Sequence, residues 1–156
     1  MIDFGDIICY YVFRVEKAVY KPKTGDFMKK QAEEWLKIVA EDLDTAKYNF
    51  EGKRYLWAIF LCQQSLEKAF KAVYYERYEK VPPRKHDLVA LAKAAGLLDD
   101  CDNNMIDYLR RLTVYYIEAR YPEEKAELSA KCTEEHTRDI IKQAEEVFQW
   151  LASKLN

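Results

Sequence analysis

Tyr55-Leu56-Trp57-Ala58-Ile59-Phe60 runs into Cys62-Gln63-Gln64-Ser65-Leu66-Glu67-Lys68-Ala69-Phe70-Lys71, and beyond Pro82-Pro83 stands Lys85-His86-Asp87-Leu88-Val89-Ala90-Leu91. The stretch reads as one long helix, a rigid break and a capped shorter helix. Tyr55, Ile59, Cys62, Leu66, Ala69 and Val73 recur at steps of three and four, the spacing that lines up side chains on one face of a helix, so this stripe must face other helices. Gln64, Lys68, Lys71 and Tyr75 keep the same spacing in a second row, and that row is polar. An amide, two ammonium groups and a phenol beside an apolar stripe either salt-bridge neighbouring helices or hold an anion.

The helical period continues on both sides. Ala32, Leu36, Val39, Leu43, Ala46 and Phe50 predict a helix over about 26–50, closed by Gly52. The long helix ends near 79, before Pro82-Pro83. Asp87 or His86 can cap the short helix, whose exit is marked by Gly96. Met105, Leu109, Leu112, Tyr116 and Ala119 define a fourth helix near 100–120, stopped by Pro122. Thr133 caps a fifth, with Ile140, Ala144, Val147, Leu151 and Leu155 as its stripe. Residues Pro122 to Lys131 read as the least structured connection. Four long amphipathic helices with mostly short connections bury their stripes best side by side. The expected fold is therefore all-α: an antiparallel up-and-down four-helix bundle with an extra short helix.

The first 25 residues differ in character. Ile7-Ile8-Cys9-Tyr10-Tyr11-Val12-Phe13 is a β-prone run and Lys21-Pro22-Lys23-Thr24-Gly25 a break. Residues 1–25 are expected to be an N-terminal arm, a strand or extension that packs on a partner subunit, with the bundle domain occupying 26–156. The alternative is a mis-assigned leader, with translation naturally starting at Met28.

With 156 residues, 49% apolar and 33% charged, the chain has the length and composition of one folded domain. A formal net charge of −2 supplies no overall field for nucleic acid, so any nucleotide or RNA site must be a local patch. Cys9, Cys62, Cys101 and Cys132 lie far apart and far from metal-ligand spacing, which points to reduced thiols in a cytoplasmic protein. No apolar stretch is long enough to be a secretory core or a membrane span. Four glycines leave no phosphate-cradling loop, and Thr133-Glu134-Glu135-His136 lacks the Glu-X-X-His spacing of a helical di-metal site, so no metal or cofactor is implied.

Several pieces, in their order and spacing, resemble the HEPN domain family. They are the acidic amphipathic run from Ala32 to Ala46 with Asp42 and Leu43, Gly52 to Tyr55, Gln64 to Ala72, His86-Asp87-Leu88 with Leu91, and Ala119-Arg120-Tyr121-Pro122. The resemblance implies a homodimeric helical bundle of bacteria or archaea, commonly encoded beside a minimal nucleotidyltransferase as a toxin–antitoxin-like pair. Many relatives are metal-independent ribonuclease toxins, whose signature is an Arg separated by four to six residues from a His on a late helix. That signature is missing: the corresponding positions after Arg110 and Arg111 hold Tyr115, Tyr116 and Ile117, and those after Arg120 hold Lys125, Ala126 and Glu127.

Metal-free RNA cleavage needs a base for the 2′-hydroxyl and a cation for the developing phosphorane charge. A phenol, ordinarily protonated at neutral pH, replaces the missing His poorly. The candidate catalytic set is a degenerate one, Arg111, Tyr116 and Arg120. Gln64, Lys68, Lys71, His86, Arg111, Arg120 and Tyr121 are the candidate nucleotide- or anion-binding residues. Each has a plainer reading. Lys71 can pair with Glu67 one turn back, and Lys68 with Glu33, Glu34, Asp42 or Asp44 on the adjacent helix. His86 can be a cap or packed ring at a helix entrance, and Arg120 can satisfy terminal carbonyls. Tyr74, Tyr75, Tyr78, Tyr115 and Tyr116 are expected in the core or between subunits rather than on bases. Tyrosines of some relatives are nucleotidylated by the partner transferase, and here Tyr121 is the candidate exposed by position. Three functions follow: a nucleotide- or RNA-binding partner of a transferase, a ribonuclease toxin, or a purely structural dimer.

Overall fold

The computed structural model describes residues 30–155, and every regular element among them is helical. The order is α1 (Lys30–Glu51), α2 (Tyr55–Tyr78), α3 (Leu88–Ala94), α4 (Asn103–Glu118), α5 (Pro122–Lys131) and α6 (Glu134–Ala152), with a 3-10 turn at Leu98–Asp100 ahead of α4. The expected N-terminal arm and the alternative start at Met28 lie outside the described residues.

α2 is the axis of the molecule, and α1, α3, α4, α5 and α6 all pack against it. Its sequence explains why. Beside the stripe of Ile59, Cys62, Leu66, Ala69 and Val73 it buries Leu56, Ala58, Phe70 and Ala72, and with them Gln63, Ser65 and Glu67. A helix apolar on nearly every side is stable only when surrounded. The stripes expected on the other long helices turn inward: Ala32, Leu36, Val39, Leu43 and Ala46 are buried with Phe50 partly so, Leu109, Leu112, Tyr116 and Ala119 are buried with Met105 partly so, and Ile140, Ala144, Val147, Leu151 and Leu155 are buried. Each buried Leu or Ile contributes about 1.5–3 kcal/mol by leaving water.

Gly52-Lys53-Arg54 folds α2 back along α1. Lys53, rather than Gly52, takes the left-handed conformation (φ 57°), while the amides of Lys53 and Arg54 donate to the carbonyls of Phe50 (2.9 Å) and Asn49 (2.8 Å) that end α1. Three helices open on side-chain caps: Asp87 accepts from Ala90 N (2.9 Å), Asp102 from Met105 N (2.7 Å) and Thr133 from His136 N (3.2 Å). Gly96 closes α3 at φ 70°, where an added Cβ would sit 2.9 Å from the Tyr78 hydroxyl, so only glycine fits without a shift.

One expected element is corrected. Pro122 to Lys131 is a helix, not an irregular connection, because Pro122 sits in its first turn, where a missing N–H costs nothing, and does not merely stop α4. Glu123 and Glu124 face the positive helix end, and Lys131 pairs with Glu127 in the last turn (2.6 Å).

Cys62, Cys101 and Cys132 are unpaired thiols, and burial pushes Cys62 up to about 12 and Cys132 up to about 11. Both therefore stay protonated and inert at neutral pH. Cys9 lies outside the described residues. Among the described residues no helix is long and apolar enough to cross a membrane.

Candidate functional site

Glu67 is a carboxylate in the middle of the most buried helix, and the polar chemistry of the molecule gathers round it. Its side chain is 7% exposed. A charge so placed must be paired and hydrogen-bonded to persist. Lys71, one turn on, donates to Oε1 at 2.6 Å; Gln63, one turn back, donates to Oε2 at 3.2 Å; and the His86 imidazole approaches Oε2 through Nδ1 at 3.1 Å. Burial by itself would raise the Glu67 carboxyl, but the hydrogen bonds from Lys71, His86 and Gln63, with the Lys71 charge, outweigh it and hold the group below the ordinary carboxylate range. Glu67 is thus an anion at neutral pH.

His86 enters from the loop before α3. Its backbone carbonyl accepts from the Gln63 amide at 2.9 Å, so Gln63 holds both the residue and its carboxylate partner. Gln64 in turn donates to Gln63 Oε1 at 2.7 Å. The His86 side chain is 54% exposed, and its ring lies 4.9 Å from the Tyr116 ring at 31°. Tyr116 is itself buried in α4. Phe60 stacks on it at 5.3 Å, and the Arg120 guanidinium stands 4.2 Å from its ring centre, with Arg120 Nε donating to the Tyr116 carbonyl at 3.3 Å. The aromatic wall continues through Trp57, edge-on to Phe60 at 5.6 Å, and Lys125 of α5 lies 4.7 Å over Trp57. At the other end, Lys71 sits 5.7 Å over Trp35, whose buried Nε1–H has no acceptor among the described residues.

The expected binding residues therefore divide. Lys71, His86, Tyr116 and Arg120 meet in this one cluster, with Gln64 supporting it through Gln63. Lys68 does not join: it pairs with Asp42 of α1 at 2.5 Å. Arg111 is exposed on α4, and its charge partly offsets the burial that raises the Tyr108 and Tyr115 phenols, both of them on α4 away from the His86 ring. Tyr121 is 57% exposed at the α4–α5 junction, more than Tyr78 at 44%, although Tyr48 on α1 exceeds both at 78%. At the start of α3 the Asp87 carboxylate accepts from Ala90 N at 2.9 Å and the Thr113 hydroxyl accepts from Leu88 N at 3.2 Å, so two of the first amides of that helix are already used.

Sequence reasoning missed Glu67 and Gln63 as site residues. The signal was present, since a Gln and a Glu stand four apart on a face otherwise filled by Leu56, Ile59, Phe70 and their neighbours, where polar groups survive only with partners. A cavity of about 200 Å³ lies elsewhere, against Asp102, Asn104, Met105, Tyr108, Gln143, Glu146 and Val147. Its two carboxylates repel phosphate, and the Tyr108 hydroxyl is committed to the Ile140 carbonyl at 2.9 Å.

A buried carboxylate orienting a half-exposed imidazole, beside a guanidinium on an aromatic ring, is chemically able to hold an anion such as a phosphate ester and to accept or hand on a proton beside it. Among known families, the HEPN domain model matches residues 32–155. The chain belongs to the HEPN domain family. Comparison with curated proteins and with solved structures returns no match. The matched span holds every residue of the cluster from Trp35 to Lys125, so the site lies inside the HEPN domain.

Proposed function

We propose that this HEPN domain is a homodimeric, cytoplasmic partner of a minimal nucleotidyltransferase in a toxin–antitoxin-like pair, and that it binds the phosphate of a nucleotide or RNA at the Arg120–Tyr116–His86 cluster. The observation that carries the reading is the Arg120 guanidinium, held 4.2 Å from the Tyr116 ring beside a half-exposed imidazole. Arg on an aromatic face is pre-oriented for a phosphate and keeps donors free for it. Val114 and Ile117 on α4 and Tyr121 at its junction with α5 are exposed apolar or aromatic side chains, which supports a subunit seam there. The unpaired thiols fit a reducing compartment. Tyr121 offers the transferase an exposed phenol next to the site. Calorimetric titration with oligoadenylate tests the reading: Arg120→Ala is expected to weaken binding by about 2 kcal/mol and Arg111→Ala to leave it intact. A chain that binds no phosphate compound is a structural module only.

Metal-free RNA cleavage is the second reading, and the Glu67–His86 pair favours it by offering a base in place of the signature His that this chain lacks. RNA degraded in the presence of a chelator, with loss in both His86→Ala and Arg120→Ala, supports it. Intact RNA under those conditions removes it.

A further inference from the structure

α5 is held to the bundle by little. It buries one of its ten residues, Leu128, whereas α3, with seven residues, buries Leu88, Leu91 and Ala92. Its ion pair and the bond at its last turn stay inside the helix: Lys131 with Glu127 at 2.6 Å, and the Cys132 thiol donating to the Leu128 carbonyl at 3.1 Å. Lys125 reaches across to α2, over a Trp57 ring that is itself 41% exposed. Both neighbouring helices are completed without α5. The Ala119 amide donates to the Tyr115 carbonyl (3.1 Å) at the end of α4, and Thr133 caps α6 with its hydroxyl on His136 N (3.2 Å) and its carbonyl on Thr137 N (3.0 Å). A helix with one apolar anchor, set between neighbours that keep their own caps, belongs to the low-stability end of a structure and opens as a local unit.

Pro122 decides where it turns. The proline ring fixes its own φ and keeps Tyr121 extended (φ −104°, ψ 130°), so neither residue absorbs a swing. The turn left to move is Ala119–Arg120. Arg120 is the residue whose guanidinium lies on the Tyr116 ring and whose Nε donates to the Tyr116 carbonyl at 3.3 Å. The geometry points to α5 as a clasp that opens independently of the bundle on a hinge at Ala119–Arg120, and that closes when Arg120 holds a phosphate. This inference rests on the phosphate-binding reading above and adds how that site is regulated. Opening carries Arg120 off its ring, so a ligand that needs Arg120 in place favours the closed clasp by linkage.

Two thiols report the two kinds of opening. Cys132 travels with the last turn of α5 and is 6% exposed, while Cys62 lies fully buried in α2 and is reached when the bundle itself comes apart. Each regains ordinary reactivity once exposed. The test is labelling of the full chain with an aromatic disulfide reagent at about pH 8, near the ordinary thiol range, with each cysteine followed by peptide mass spectrometry. Cys132 is expected to react at least about tenfold faster than Cys62. Leu36→Ala in α1, which packs on α2 and α6, weakens the bundle, so Cys62 speeds up about a hundredfold while Cys132 keeps its rate. Low urea asks the same question of the unsubstituted chain, and its effect is steep for Cys62 and shallow for Cys132. Oligoadenylate at about ten times its dissociation constant slows Cys132 about tenfold.

Equal rates for the two thiols, rising together in Leu36→Ala or in urea, overturn the clasp. A fast Cys132 whose rate ignores bound ligand overturns the coupling to Arg120 and leaves phosphate binding standing. Failure of the ligand to bind in the calorimeter removes the phosphate-binding reading and the coupling with it, while the comparison of Cys132 with Cys62 still decides whether α5 opens alone.

Discussion

Tyr115 and Tyr116 are adjacent on α4, and each meets a histidine, yet the two encounters are opposite in kind. Tyr115 spends its hydroxyl on His136, with 2.9 Å between Oη and Nε2, at the start of α6. Tyr116 offers its ring to His86 and leaves the outer nitrogen of that imidazole uncommitted, while a buried carboxylate holds the inner one. The first pair is closed: both polar ends face each other, and burial pushes the Tyr115 phenol further up, keeping its proton in place. The second is open toward solvent and borders an arginine. Residue types alone do not make a site; what counts is which atom is left over once the fold's own hydrogen bonds are made.

The largest expected effect falls on the anchor of the open side. Glu67→Ala leaves Lys71 buried without its partner and releases His86 and Gln63, a loss of about 3 kcal/mol in a chemical denaturation series. An unchanged midpoint would mean that the carboxylate is not holding the cluster. Acid sharpens the point. The folded Glu67 sits below its ordinary value of 4.5, so its contribution is fully present above about that pH and drains away as the pH falls through the lower, folded value. Wild type should therefore lose stability relative to Glu67→Gln on acidification below that point, and parallel acid curves would contradict this. Next in size, Arg120→Ala is expected to cost ligand binding about 2 kcal/mol with stability moved by less than about 0.5 kcal/mol, because its contacts are a ring face and one long carbonyl bond at a helix end. A variant that unfolds early would make Arg120 a structural residue instead.

How much of this was legible beforehand follows from the same contrast. The helices and their inward stripes were readable because burial imposes a period on the sequence, and the matched family confirms the all-α class. The pairing of Lys71 with Glu67 was readable because it is one turn long, and Lys68 found one of its expected acids in Asp42. The start of α5 was hidden by Pro122, which ends one helix and opens the next with the same fixed φ. The union of His86, Tyr116 and Arg120 was hidden for a different reason. Two segments far apart in sequence, the loop before α3 and the C-terminal end of α4, bring them together, and no local pattern encodes which face of α4 that loop will touch. Arg111 and Arg120 look alike in the chain, nine positions apart, but Arg111 stands within α4 while Arg120 sits in the turn just past its end, where its guanidinium reaches back over Tyr116.

The smallest effect tests the closed side. Tyr115→Phe removes the hydroxyl but keeps the ring that fills the space between α4 and the entrance to α6. His136 is only partly buried, so its nitrogen can turn to water, and the cost is expected to be about 1 kcal/mol or less. Phosphate binding should not change, since the cluster on Tyr116 shares no hydrogen bond with this pair. Tyr116→Phe supplies the converse. It keeps the platform for Arg120 and His86, so binding and stability should both stay close to wild type if the ring, and not the phenol, is what the open side uses. A large loss of affinity in Tyr116→Phe would mean that its hydroxyl touches the ligand, and the division between a closed tyrosine and a platform tyrosine would fall.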